Sequence, residues 1–223
     1  MVCEAYDTPG GDRQERNKRF WEATAEGYDD WIANDFKDQY AVNWNVLAKY
    51  MDPARRVLDV GCGPGDLSIR LAPRCQEVWG VDVTPEMIRV AEGKLASQPG
   101  NVCFQQADAC DLPFESHTFD TVMSVNALQT MEQPELALRE MHRVLKPGGD
   151  LLLITYCYGD SSFSENSSLL RWAIEYEGQV LWHSFRFRQL VEILPAKGFE
   201  VVEAERIWEG PVVAFLRGRA TGC

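Results

Sequence analysis

The chain reads as a doubly wound α/β domain with a mostly parallel sheet, and three observations lead there. Val57, Leu58 and Val60 are strand formers that stop abruptly at Gly61-Cys62-Gly63-Pro64-Gly65, after which Leu67 and Leu71 fall four apart on one helix face. Glu77 to Val83 repeats the apolar strand pattern, with Asp82 standing 21 positions after Gly61. Apolar runs at 102–107, 119–125 and 150–156 then alternate with helical patterns, as successive βαβ units do. With 223 residues and neither repeat nor linker, the whole chain is expected to form one domain.

Taken in order, residues 1–11 are polar, end on Pro9-Gly10-Gly11 and are expected to be disordered. From Asp12 to Asn34 the pattern is helical and aromatic, with Phe20, Trp21, Tyr28 and Trp31. A second helix, Gln39 to Met51, carries Trp44, Leu47 and Ala48 on one side and ends before Asp52-Pro53, so 12–52 forms an N-terminal helical segment. Alternate glycines after strand one remove the Cβ atoms that would keep a ligand off the backbone. Asp66 is placed to cap the next helix, and Asp82, at the end of strand two, to take both hydroxyls of a ribose.

That pairing also suits a dinucleotide, but two details argue otherwise. The spacing is G-x-G-x-G rather than G-x-G-x-x-G, and the carboxylate of Asp66 at the helix start repels a pyrophosphate. A nucleoside without phosphates fits better.

Pro85 opens the following helix, along which Met87, Ala91 and Leu95 recur at core spacing. Val102 to Ala107 is strand three and Phe119 to Val125 strand four, which runs into Asn126-Ala127-Leu128-Gln129. Glu135 to Leu145 is a helix with Leu138 and Met141 inward, terminated by Lys146-Pro147-Gly148-Gly149. Asp150 to Tyr156 is strand five, apolar enough at its centre to be buried on both faces. Residues 157–187 break the alternation with a Ser-rich loop and an aromatic helix. This insert either packs locally or lines a substrate pocket with Tyr156, Tyr158, Trp172, Tyr176 and Trp182. His183, the one histidine in this apolar context, is either a structural residue or the best candidate base. Gln189 to Lys197 is the last helix, and Phe199–Ile207 and Pro211–Leu216 close the sheet as an antiparallel pair.

VLDVGCGPG, the acid Asp82, QADACDLPF, FDTVMSVNAL and LKPGG resemble, in that order, the motifs of the class I S-adenosylmethionine-dependent methyltransferases, over roughly residues 20–155. The resemblance implies a Rossmann-like sheet of seven strands with the last antiparallel, S-adenosyl-L-methionine as cofactor, and no metal. It sets Asp59, Gly61, Cys62, Gly63 and Gly65 under the methionine moiety, Asp82 and Val83 at the ribose, and Met87 beside the nucleoside. Asp108 and Ala109 are set at the adenine, and Asn126, at the strand end nearest the reacting centre, is also set against the cofactor. Asp59 either orients the loop or the cofactor amine, or is purely structural. The helices of 12–52 either pack on the sheet edge or form a lid through which Tyr28 and Trp31 reach the acceptor. Many relatives carry a histidine after strand four; here Asn126 and Gln129 can only orient a substrate by hydrogen bonding, which leaves Tyr28 and His183 as the catalytic candidates.

Composition narrows the partners. Twenty-two basic against 34 acidic residues give a net charge of −12, which attracts neither nucleic acid nor an anionic membrane. Seven cysteines fall at irregular spacings without zinc pattern and read as reduced thiols. No signal core or membrane-length apolar run is present, so a soluble cytoplasmic protein is expected, as monomer or homodimer. The leading expectation is methyl transfer to a small, aromatic or apolar acceptor. A protein or RNA methyltransferase, and a non-catalytic cofactor-binding subunit, are the alternatives.

Overall fold

A computed structural model describes residues 13–95, 100–160, 183–208 and 211–222, with side chains from residue 17 onward. Helix α1 (Arg13–Thr24), a 3-10 turn (Ala25–Gly27), α2 (Tyr28–Asp35) and α3 (Lys37–Leu47) precede β1 (Arg56–Val60) and α4 (Asp66–Leu71). Then come β2 (Glu77–Asp82), α5 (Pro85–Leu95), β3 (Val102–Gln106), β4 (Phe119–Val125), α6 (Pro134–Val144) and β5 (Leu145–Tyr156). Helix α7 (Phe187–Ala196), β6 (Phe199–Trp208) and β7 (Val213–Ala220) close the chain.

The seven strands lie in the order β3-β2-β1-β4-β5-β7-β6. Neighbours from β3 to β5 are parallel, and β7 runs antiparallel to both β5 and β6, as the resemblance implied. The chain winds outward from β1 to β3 and then returns to place β4 on the other side of β1. The order therefore reverses between β1 and β4, and a crevice opens beyond their carboxyl ends.

Strand alternation builds two cores, one on each face. Leu58, Val60, Leu151 and Leu153 point to the layer of α6 and α7, with Leu138, Met141, Leu190 and Leu194. Val57, Leu152 and Ile154 point to the layer of α3, α4 and α5, with Leu47, Leu67, Leu71 and Ala91. A central strand buried on both faces must be apolar throughout, which is why β5 reads as an unbroken Leu/Ile run.

Several boundaries differ from the sequence expectation for local reasons. The aromatic helix breaks at Ala25–Gly27, where the Thr24 hydroxyl donates back to the Phe20 and Trp21 carbonyls and so competes with the helix. Asp66 does not cap α4: Gly65 holds the N-cap position at φ 78°, and Asp66 lies in the first turn, 3.7 Å from Arg70. Lys146 to Gly149 belongs to β5 rather than ending α6, because Gly148 turns at φ 77° and the β4/β5 register shifts there. The segment expected to be disordered, and most of the insert, including Trp172, Tyr176 and Trp182, lie outside the described residues. No described helix is long and apolar enough to cross a membrane.

Candidate active site

The glycine loop is shaped by hydrogen bonds to β2 and by positive φ angles at Gly61, Gly63 and Gly65. Gly61 N–H and Cys62 N–H both donate to the Val81 carbonyl, at 2.8 and 3.0 Å, and Gly63 N–H donates to Asp82 Oδ2 at 3.0 Å. Gly61 (φ 77°) and Gly63 (φ 54°) adopt the left-handed region open to glycine, and a Cβ on Gly61 would stand 2.4 Å from that of Ala127. Asp82 Oδ1 accepts the Thr84 N–H at 2.9 Å, so each carboxylate oxygen is held by one backbone donor. Burial raises its pKa against these bonds. Asp59, 2% exposed, accepts the Ser68 hydroxyl at 2.6 Å. Burial pushes it up to about 7, with Ser68 pulling the other way and Asp82 adding to the rise.

Three clefts meet around this loop. The first, about 360 Å³, is bounded by Gly61, Gly63, Asp82, Val83, Met87, Asp108, Ala109 and Asn126, with Asn17, Lys18 and Trp21 of α1 across from them. The second, about 500 Å³, lies on the other side of the loop and is lined by Asp59, Cys62, Asp66 and Arg70, with Tyr28, Asp29, Lys37 and Tyr40. The third is a chamber of about 40 Å³ between Trp21, Tyr28, Trp31, Phe36, Gln39, Tyr40, Asn126, Gln129 and Tyr156. Tyr28 lines all three, and Asn126 the first and third.

The first cleft tests what kind of ligand fits. Among the described residues Lys18 is the one cation lining it, against the carboxylates of Asp82, Asp108 and Glu132, a balance that repels a diphosphate and suits an uncharged nucleoside. The second offers acids and bases together, as a zwitterionic amino-acid group requires. Helix α1 covers the first cleft: Asn17 Nδ2 donates to the Thr130 carbonyl at 2.9 Å and the Trp21 indole N–H to Asn17 Oδ1 at 3.1 Å. Beyond it, Asp29 pairs with Lys94 at 2.5 Å and Glu26 with Arg89, tying the turn and α2 to α5.

Most candidates named from sequence come together here, and three described ones stand apart. Gly65 lines none of the clefts; it faces Phe104 and Ala91 and lets α4 approach. Tyr158 stacks on Tyr156 at 5.3 Å, behind the chamber. His183 lines none of the clefts either: its N–H donates to the Gln129 carbonyl at 2.7 Å, its ring stacks on Phe185, and Nε2 is buried without a partner. Asp108 spends Oδ1 on the Cys110 N–H at 2.8 Å, closing a tight turn. For Tyr28, burial raises the phenol pKa, a hydrogen bond with Tyr40 offsets part of this, and Asp82 and Asp29 add to it; at neutral pH it is a neutral phenol.

Sequence reasoning missed Gln39, Tyr40 and Asn43. Gln39 Oε1 accepts the Tyr156 hydroxyl at 2.9 Å and its Nε2 donates to Asn43 Oδ1 at 3.3 Å, all buried. The available signal was two amides four apart on the face of α3 that also carries Leu47.

A family model described as a methyltransferase domain matches residues 57–149. A ubiquinone/menaquinone biosynthesis C-methyltransferase of Ectopseudomonas mendocina is 33% identical over 159 residues, 67% of this chain and 61% of its own. An O-methyltransferase of Aspergillus sclerotiorum is 30% identical over 171 residues, 74% of this chain and 63% of its own. The chain spans about half the length of the curated relatives it matches, 40–48% for the first of them. Among solved structures, phosphoethanolamine N-methyltransferase 2 of Haemonchus contortus, in complex with S-adenosyl-L-methionine, superposes with a TM-score of 0.75 at 20% identity, covering 96% of this chain and 61% of that one.

Proposed function

The chain belongs to the class I S-adenosylmethionine-dependent methyltransferases, and on that premise we propose that it transfers a methyl group to a small, largely aromatic or apolar acceptor. The observation that carries the reading is the convergence of a nucleoside cleft, an amino-acid cleft and an aromatic chamber at Tyr28. In this reading Gly61 and Gly63 leave the floor bare, Asp82 takes the ribose hydroxyls, and Asp108 and Ala109 meet the adenine edge. Asp59 and Asp66 face the ammonium, and Lys37 and Arg70 the carboxylate. When bound, S-adenosylmethionine supplies a methyl on a sulfonium, an electrophile that needs no covalent help from the protein. What these residues contribute is alignment and exclusion of water, for which up to about 7–11 kcal/mol is available in favourable systems.

Trp21, Tyr28 and Trp31, edge-to-face at 6.3 and 5.5 Å, wall the chamber against solvent. The acceptor atoms named for the relatives are carbon, oxygen and nitrogen, so family membership alone leaves the atom open. The quinone precursors implied by the names of the bacterial relatives suit an aromatic chamber. The acidic balance of −12 and the aromatic lining of the chamber favour a free small molecule over nucleic acid, and the thiols of Cys62, Cys75, Cys103 and Cys110 suit a reducing cytoplasm.

Calorimetric titration with S-adenosylmethionine, followed by measurement of S-adenosylhomocysteine formed with a panel of phenols, quinols and amines, tests the proposal. Specific binding with acceptor-dependent turnover is expected. Binding with no turnover on any acceptor would leave a scaffold role, and absence of binding ends the reading altogether.

A further inference from the structure

We propose that the acceptor is an aromatic ring carrying an O–H or N–H donor, and that Asn126 Oδ1 receives that donor. The inference rests on the methyl-transfer reading above and adds what the chamber selects. Asn126 sits at φ 53°, one of two non-glycine residues in the left-handed region among those described. Its backbone is held on both sides: the N–H donates to the Ile154 carbonyl at 2.8 Å, and its carbonyl accepts Gln129 Nε2 at 2.8 Å. The backbone is thereby fixed where the first cleft meets the chamber, both of which the residue lines, and its Oδ1 is buried with no partner. A buried acceptor left unpaired is costly, so such an atom at a ligand cavity calls for a donor from the ligand.

The other amides of the chamber are already engaged. Gln129 Oε1 accepts the Thr155 hydroxyl at 2.6 Å while its Nε2 is spent on the Asn126 carbonyl. Gln39 is likewise used at both ends, by Tyr156 and Asn43. Among the described residues no carboxylate or cationic side chain lines the chamber, so they offer a charged acceptor no ion partner for the hydration it would lose. A neutral ring that slides between Trp21, Tyr28 and Trp31 and offers one proton donor satisfies both conditions. Asn126 does not line the amino-acid cleft, which separates this role from holding the ammonium of the cofactor.

The test is binding to the S-adenosylhomocysteine-loaded protein, using pairs that differ only in the donor: 2-naphthol against 2-methoxynaphthalene, and indole against 1-methylindole. In the wild type the donor-bearing member of at least one pair should bind about fivefold tighter or more, as one neutral hydrogen bond at a buried acceptor gives. Asn126→Gly keeps the left-handed backbone and removes the amide; its preference, measured at saturating S-adenosylhomocysteine, should fall below about twofold. Asn126→Asp, which retains an acceptor oxygen, should keep the preference. Equal binding within both pairs, no binding of any member, or a preference that survives Asn126→Gly overturns the inference. Failure of the wild type to bind S-adenosylhomocysteine at all strikes the proposed function itself, and so is told apart from these outcomes.

Discussion

Asp82 shapes the loop and is assigned the ribose, and both tasks use the same two oxygens. Each oxygen accepts one backbone N–H, from Gly63 or Thr84, and an ionised carboxylate has lone pairs left for two ribose hydroxyls. Asp82→Ala is therefore expected to raise the S-adenosylmethionine Kd more than tenfold, since two charge-assisted bonds of roughly 1.5–3 kcal/mol each are lost. Unchanged affinity by calorimetry would remove the ribose assignment. Asp59 gives the site a pH response. Its folded pKa is raised from 3.8 to about 7, so between those values the native state keeps a proton that the unfolded chain has released. Its contribution to stability thus falls as pH rises through that window. An ammonium in the same cleft favours the ionised form, so cofactor affinity should improve as pH rises through about 7, with proton release on binding below it. Calorimetry across that range, in buffers of differing ionisation enthalpy, should show the trend in the wild type and a flat profile in Asp59→Asn.

At the scale of elements, the strand, glycine turn and helix could be read from sequence because local chemistry alone dictates them, yet the same reading misplaced one glycine. Gly65 was expected in the cofactor floor, but a Cβ there would meet Phe104 Cζ at 2.4 Å and Ala91 Cβ at 3.0 Å, so this glycine lets β1, α4, α5 and β3 close on one another. Gly65→Ala should destabilise the protein by about 2–5 kcal/mol, combining roughly 1–2 for a left-handed alanine with roughly 1–3 for overpacking. Urea unfolding would measure this, and adding Phe104→Leu should recover the packing part alone; a neutral Gly65→Ala would contradict the account. The ring of Phe104 arrives from 39 positions away in sequence, a neighbour no local pattern announces. The same holds for Tyr156 on Gln39, a pair 117 positions apart, whereas Asp82 was found because its strand end and the glycine spacing are both local signals. The break between α1 and α2 escaped because the aromatic pattern of Phe20, Trp21, Tyr28 and Trp31 runs on across it, while the Thr24 hydroxyl competes with the helix backbone.

Across the whole molecule, the clefts occupy the carboxyl edge of the sheet, and the opposite edge is tied by charge. Asp150, at 3% side-chain exposure, accepts Arg55 Nη1 at 2.7 Å and Arg217 Nε at 2.9 Å, with Arg219 at 3.9 Å, while Arg55 also donates to Thr121 at 3.0 Å. One carboxylate thus joins the loop before β1 to β4, β5 and β7. Removing its charge leaves guanidinium groups that are 21–45% exposed and so partly hydrated, which lowers the cost from that of a fully buried pair to about 1–3 kcal/mol. Asp150→Asn should lower the stability at neutral pH by about that much while leaving S-adenosylmethionine affinity intact, because no cleft residue is touched. The sign with pH follows from its environment. Burial alone would raise Asp150, but hydrogen bonds from Arg55 and Arg217 outweigh it and hold the carboxyl below its usual 3.8, so the native state binds fewer protons than the unfolded chain. The contribution is full above that ordinary value and is lost as pH falls through the lowered one. Urea midpoints of wild type and Asp150→Asn should therefore stand well apart at neutral pH and converge in acid below 3.8; a gap constant across that range would show that the network acts by packing rather than charge.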